Sequence, residues 1–157
     1  MAAAAPTPPA DLAEVERVLL RLLPGGELLR IPKHPRQRDI LLALLADGLE
    51  RRRPYAEAEL NDWLQERLGT LNARVDHVTA RRYLIDCDYV KRDRAGQRYF
   101  VNYPRLEQAV TAAALAERSR LVSDAIAWHH ARERQRDRRR AAHGGSQQDD
   151  QRGAHGD

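Results

Sequence analysis

The sequence predicts a small, mainly helical domain closed by a β-hairpin, with a further helix at each end. Three observations carry this. Apolar residues recur at three- and four-residue steps through three consecutive segments between residues 36 and 87. Two short runs of strand-forming residues follow, Tyr89–Arg92 and Arg98–Val101. Between them stands Asp93-Arg94-Ala95-Gly96, whose composition suits a tight hairpin turn.

Residues 1–10 are rich in Ala and Pro and read as a disordered lead-in. Residues 11–23 place Val15, Leu19 and Leu22 at helical spacing, with Asp11, Glu14 and Glu16 where the helix dipole favours acids. Pro24-Gly25-Gly26 ends that helix, and residues 27–31 are extended, either a short strand or a linker. Pro35 opens a helix over 36–49 with Ile40, Leu41, Leu44, Leu45 and Leu49 as its apolar stripe. Pro54 and Tyr55 break the chain. A helix over 56–68 follows, with Leu60, Trp63, Leu64 and Leu68 on one face and Gly69 closing it. The next helix spans about 75–87, with Ala80, Leu84 and Cys87 on one stripe. Three helices and a hairpin in this order are the plan of a winged helix-turn-helix, here spanning residues 31–103. Residues 11–30 then form the N-terminal helix and linker. Pro104 starts one long C-terminal helix, 104–131, whose apolar residues drift around its axis. Residues 132–157 read as a tail, basic and then polar, expected to be disordered.

Composition excludes several classes. No apolar stretch is long enough to cross a bilayer, and the start lacks the basic and apolar regions of a signal peptide. Cys87 is the only cysteine, which excludes an intramolecular disulfide and a cysteine metal cage. A cytoplasmic location is the expectation. The net charge is +4 and the pI about 9.6, with mean hydropathy −0.70. Arginine supplies nearly all of the basic charge, since Lys33 and Lys91 are the only lysines. A GC-rich genome produces that bias whatever the function, so the placement of charge carries more than its total.

Residues 74–98 hold seven basic residues, Arg74, Arg81, Arg82, Lys91, Arg92, Arg94 and Arg98, against four acidic ones. Residues 31–73 balance at seven of each. The excess therefore falls on the third helix of the core and on the hairpin, the elements that face DNA in a winged helix. Arg82 stands one turn before Asp86, so an intrahelical pair competes with a DNA contact there. Arg81 has no such partner in the sequence and is the stronger DNA candidate. The alternative for the whole set is a solvated arginine-rich face.

Several runs together resemble a known bacterial family. They are Ile31-Pro32-Lys33, Arg36 to Leu45, Tyr55-Ala56-Glu57-Ala58-Glu59-Leu60-Asn61-Asp62-Trp63-Leu64, Asp76 to Asp86, Val90-Lys91-Arg92, and Gly96-Gln97-Arg98-Tyr99-Phe100. In order and spacing they are similar to the domain-of-unknown-function family catalogued as number 2087, over about 70 residues. The resemblance implies a winged-helix-like fold in a regulatory setting and implies no reaction. Three residues depart from the family pattern. Ala56 replaces a Ser that would cap a helix, Ala80 replaces a Leu, and Asp88 stands where Gly is usual before the hairpin.

No catalytic constellation is present in the sequence. Cys87 lies on an apolar helical stripe and reads as packing, with His77 ten residues away on the same helix. His129, His130 and Glu133 have metal-like spacing but sit on a polar helix end, where surface histidines are the simpler reading. Tyr99 and Phe100 alternate on a strand, so one faces inward and the other outward. The expectation is a non-enzymatic DNA-binding regulator without cofactor or metal, which uses helix 75–87 and hairpin 89–101. The alternative is a protein-interaction module of a regulatory complex, with the C-terminal helix as contact. RNA binding is a third reading. The stripes on helices 11–23 and 105–130 suit either each other or a second copy across a two-fold axis, and the expectation is a homodimer.

Overall fold

The structure, a computed structural model, describes residues 6–152 and the side chains of residues 6–144. Helix α1 (Leu12–Leu22) begins behind Asp11, whose carboxylate accepts the Glu14 N–H at 2.9 Å. A single turn of 3-10 helix at Pro24–Gly26 ends it, and residues 27–34 run on as an extended linker. That linker is held by backbone bonds rather than a sheet: Leu28 N–H donates to Leu71 O, and Arg74 N–H donates to Leu28 O.

Helix α2 (Pro35–Ala46) is the centre of the molecule. All seven residues from Ile40 to Ala46 are buried, a full turn of the helix and more, so every side of its second half is covered. It stops three residues short of the predicted end. Gly48 turns the chain at φ +103, which an L side chain rarely adopts, and Leu49 packs inward from beyond the helix. Helix α3 supplies groups for the α2 end. The Trp63 indole N–H donates to Leu45 O at 3.1 Å, and the Arg67 guanidinium donates to Leu44 O at 2.6 Å. These carbonyls are among the last four of α2 and have no partner within the helix. The Arg67 cation also lies at the negative end of the α2 dipole. Burial pulls the Arg67 pKa down to about 10, which still leaves it charged at neutral pH.

Strand β1 (Tyr55–Ala56) leads directly into helix α3 (Glu57–Thr70). Ala56 has no oxygen to cap α3, as its sequence position implies. The Glu59 carboxylate still reaches back to the Ala56 N–H at 3.1 Å, which is half of a capping box. Gly69 does not close α3, contrary to expectation. It lies inside the helix, and the closing residue is Asn72 at φ +47. Asn72 N–H bonds to Gly69 O and Ala73 N–H to Leu68 O, the paired bonds of a Schellman cap. The Asn72 side-chain amide donates to Gly26 O at 3.0 Å and so holds the turn against the start of the linker.

Helix α4 (His77–Asp86) is capped by Asp76, whose carboxylate accepts the Thr79 N–H at 2.7 Å. It ends in a second Schellman cap, with Asp88 at φ +66. Asp88 N–H bonds to Ile85 O and Tyr89 N–H to Leu84 O. Asp88 therefore takes the left-handed conformation at this cap. Strands β2 (Val90–Arg92) and β3 (Arg98–Val101) form the predicted hairpin. Asp93 holds its turn by accepting the N–H groups of Gln97 and Arg98. The sheet has three antiparallel strands in the order β1-β3-β2, with Tyr55 opposite Tyr99 and Arg92 opposite Tyr99 on the other side. The sequence reading missed β1, because two residues show no periodicity and Pro54 reads as a break.

The C-terminal region departs most from expectation. In place of one helix over 104–131 there are α5 (Tyr103–Ala109), α6 (Ala112–Ala116) and α7 (Arg118–Arg152). The break has a local cause. Ala10 N–H donates to Ala109 O at 2.8 Å, and Thr111 N–H donates to Ala10 O at 3.0 Å. This bridge pulls Val110 into extended backbone, and Thr111 then caps α6 by accepting the Ala114 N–H. The drift of the apolar pattern records these breaks. Ala10 itself is fully buried, so the end of the expected lead-in is part of the fold, while residues 1–5 lie outside the described residues. Residues 132–152, expected in a disordered tail, continue α7, and 153–157 lie outside the described residues.

Helix α7 packs along α1 and the Pro24–Gly26 turn, burying Leu121, Val122 and Ala125. A His129 ring nitrogen lies 2.7 Å from Leu20 O. Gly26 is required at the crossing: a Cβ there would stand 2.6 Å from His130 Nε2. Part of the C-terminal stripe thus packs on α1 within one chain, while Trp128 stays 45% exposed. The result is mainly helical with a small three-stranded antiparallel sheet, a layout consistent with a winged helix. Among the described residues, no helix is long and apolar enough to cross a membrane.

Two substitutions test the α2–α3 junction. Trp63→Phe leaves Leu45 O without its donor and is expected to lower unfolding stability by about 1–2 kcal/mol. Gly48→Ala meets both an adverse φ and a Trp63 ring carbon 2.8 Å from the new Cβ, and is expected to cost more than about 1 kcal/mol. Urea unfolding checks both. An unchanged midpoint in the two variants would show that the junction contributes little.

Candidate nucleic-acid interface

The seven cations singled out in the sequence divide into two groups. Arg74 lies before α4 rather than on it, and its guanidinium pairs with Glu27 at 3.3 Å. Arg81 is the clearest correction. Its side chain is only 15% exposed, and its guanidinium reaches Glu57 at 2.8 Å and Asn61 at 2.6 Å. It joins α4 to the first turn of α3. The sequence could not show this, because the partners lie 24 and 20 residues back in the chain. Arg81 is therefore held inside the domain and is removed from the interface.

Arg82 goes the other way. The proposed pair with Asp86 does not form. Arg82 is exposed and, among the described residues, has no ion-pair partner. With Val78 and Asp86 it forms the outer ridge of α4 at four-residue steps. Val78 is 53% exposed, an apolar group that no neighbour covers. The inner side of α4 carries Ala80 and Leu84, both fully buried, as the stripe requires.

On the hairpin, Lys91, Arg92, Arg94 and Arg98 are all exposed. Arg92 lies over the Tyr99 ring, with its guanidinium carbon 5.5 Å from the centroid. Lys91, Arg94 and Arg98 have no carboxylate partner among the described residues. The register places Lys91 opposite Phe100, and Arg98 is two residues from Phe100 on the same strand. These three side chains share one face of the sheet. Tyr99, on the other face, is buried, while Phe100 is half-exposed. The alternation of the two aromatics thus resolves with Tyr99 inward. A cation pair flanking an aromatic ring is an arrangement that recognises phosphate and stacks on a base or sugar.

The hairpin is also anchored from behind. The Tyr89 hydroxyl donates to Asp39 Oδ1 at 3.0 Å, and Arg105 bonds to the same oxygen at 3.0 Å while lying 4.4 Å from the Tyr89 ring centroid. Burial, with the Asp39 charge beside it, pushes the Tyr89 phenol far above its ordinary range, so it remains a donor at any physiological pH. Arg105 Nε also donates to Cys87 O at the end of α4. One cluster thereby sets α4, the hairpin and α2 against each other. The sequence reading did not single out Asp39 or Arg105, since neither belongs to an apolar pattern or a charge run.

Residues 27–101 match the model of a family described as an uncharacterized protein conserved in bacteria, DUF2087. No curated protein and no solved structure matches the chain. The DUF2087 span begins at the linker and ends with β3, so it contains α2, α3, α4 and the whole sheet. Helix α1 and helices α5 to α7 lie outside it. All seven candidate cations fall inside the DUF2087 span, whereas Arg105 of the anchoring cluster comes from outside.

The reactive groups considered in the sequence have ordinary surroundings. Burial pushes the Cys87 thiol up, which favours the protonated, unreactive form. His129 meets Leu20 O and stacks edge-on with Trp128, and His130 packs over Gly26.

The division of the two adjacent arginines is directly testable. Arg81→Ala should lower stability by about 1–2 kcal/mol, because it removes two charge-assisted bonds between helices. Arg82→Ala should stay within about 0.5 kcal/mol of the parent. Chemical denaturation of both variants checks this, and the reverse ranking would restore Arg81 to the surface.

Proposed function

We propose that the chain is a DNA-binding regulator of the winged helix-turn-helix type, in which α3 and α4 form the helix-turn-helix and β2–β3 the wing. The observation that supports it most is the set of cations on α4 and the hairpin that internal pairing leaves free: Arg82, Lys91, Arg94 and Arg98. An arginine-rich surface that served only solubility would be expected to pair with the surrounding acids, as Arg53 does with Glu50 and Glu59. In this reading the ridge of α4 enters the major groove. Arg82 reaches a base edge or phosphate there, and Val78 offers an apolar contact of the kind that suits a thymine methyl. Lys91, Arg94 and Arg98 hold the backbone from the wing, with Phe100 between two of them. The exposed Arg132–Arg140 stretch of α7 adds affinity without sequence preference. The rival reading is a protein-interaction module with the C-terminal helix as contact, on which Trp128 is 45% exposed.

Binding to duplex DNA, measured across a salt series with random RNA as competitor, tests the proposal. With about four phosphate contacts, each doubling of salt should weaken binding by roughly tenfold. Arg82→Ala, Lys91→Ala and Arg94→Ala should each flatten the salt slope by about one unit if they touch phosphate. Loss confined to one base position would instead mark Arg82 as a base reader, at about 1–3 kcal/mol. Removing residues 132–157 should lower affinity and slope while leaving sequence preference intact. Binding that is absent at low salt, or indifferent to salt, overturns the proposal.

A further inference from the structure

A second set of unpaired cations lies where α1 meets the linker and α2. Arg21 on α1 and Arg30 and Lys33 on the linker line a concave pocket of about 380 Å³. All three are exposed, and among the described residues none has a carboxylate partner. Two acids of α1 and the linker are already engaged, Glu14 with Arg36 and Glu27 with Arg74. No carboxylate lines the pocket. Its apolar part includes Leu22 and Leu29, and Leu29 is 45% exposed at the rim. Gln37 adds an amide and brings the first turn of α2 to the pocket. No side chain caps that turn, so its peptide dipole adds to the positive potential. Arg17 and His34 line an adjoining cleft and extend the same basic surface.

We propose that this pocket binds a small phosphate-bearing molecule with an apolar body, a phosphomonoester, whose phosphate meets Arg21, Arg30 and Lys33. A pocket of this size lined by cations and apolar side chains, with no carboxylate in its lining, suits a small anionic ligand. The pocket joins two parts of the chain. Arg30 and Lys33 lie in the DUF2087 span, whereas Arg21 is supplied by the helix that precedes it. An occupant would tie α1 to the linker whose Leu28 is bonded to Leu71 and Arg74, just ahead of α4. The site is independent of the nucleic-acid reading and stands or falls on its own test.

Amide chemical shifts of the full chain, followed during titration with phenyl phosphate, inorganic phosphate and phenol, test the site. Phenyl phosphate should move the amides of Leu29, Arg30, Lys33 and Gln37, and bind about tenfold more tightly than inorganic phosphate. Phenol should not bind. Arg30→Ala/Lys33→Ala should weaken phenyl phosphate at least tenfold, and Arg82→Ala should leave it unchanged. Arg21→Ala, on the other wall, should weaken it as well, which keeps the test available if the double variant does not fold. Equal shifts on α4 and the hairpin, or unchanged affinity in the pocket variants, would overturn the site. A duplex DNA arm separates the two sources of phosphate. If DNA moves the pocket amides and phenyl phosphate does not, the cations serve nucleic acid and the small-ligand proposal fails.

Discussion

The enclosure of α2 is the constraint on which the rest of this structure depends. The second half of α2 is covered all round and cannot leave its last carbonyls to water, so neighbouring elements must supply their partners there. At one end, Trp63 and Arg67 of α3 donate to Leu45 O and Leu44 O. Near the other, Asp39 receives Tyr89 and Arg105. Asp47 just beyond the helix pairs with Arg118 of α7 at 3.4 Å. Each of these contacts is directional. Together they set the positions of α3, of the root of the hairpin, of α5 and of α7 relative to a single helix. Apolar burial supplies the driving force, and these few polar contacts select one arrangement.

The same polar economy shapes the candidate interface. Arginine is used here both as internal strut and as surface charge, and composition alone does not separate the two. Arg36, Arg67, Arg81, Arg105 and Arg118 are half-buried and bonded to carboxylates, carbonyls or an amide. Removing them from consideration leaves a smaller and more localised set of free cations. Much of that set lies on the α4 ridge, the hairpin, the basic end of α7 and the pocket beside α1. Surface pairs such as Arg120 with Glu117 and Asp124 contribute little to stability. The half-buried pairs matter more, because breaking one leaves its partner poorly solvated.

Much of the fold was legible because local physics dictates it. Helices α1 to α4 and the hairpin follow from apolar periodicity and from the Asp93–Gly96 turn. Boundaries were less legible. Gly69 looked like a stop and is not one, because a glycine ends a helix only where the chain can turn left-handed and still satisfy the last carbonyls. Asn72 does so with help from Gly26 O. The split of the C-terminal region depends on Ala10, about 100 residues away in sequence, and no window of local sequence contains both. Among the candidate cations, the expected surroundings of two adjacent arginines were reversed. Arg81 had no partner nearby in the sequence and has two in space. Arg82 had one nearby and does not use it.

The sequence by itself determined helices α1 to α4 and the hairpin in their order, the inward stripe of α4 and the concentration of basic charge between residues 74 and 98. Each rests on interactions within a few residues, where backbone preference and side-chain period leave few options. Only the tertiary structure decided which cations are free, that α7 packs along α1, that β1 completes the sheet, and that Arg21, Arg30 and Lys33 line one pocket. Those outcomes depend on contacts between distant segments, and a charge is spent or available according to what packing brings beside it.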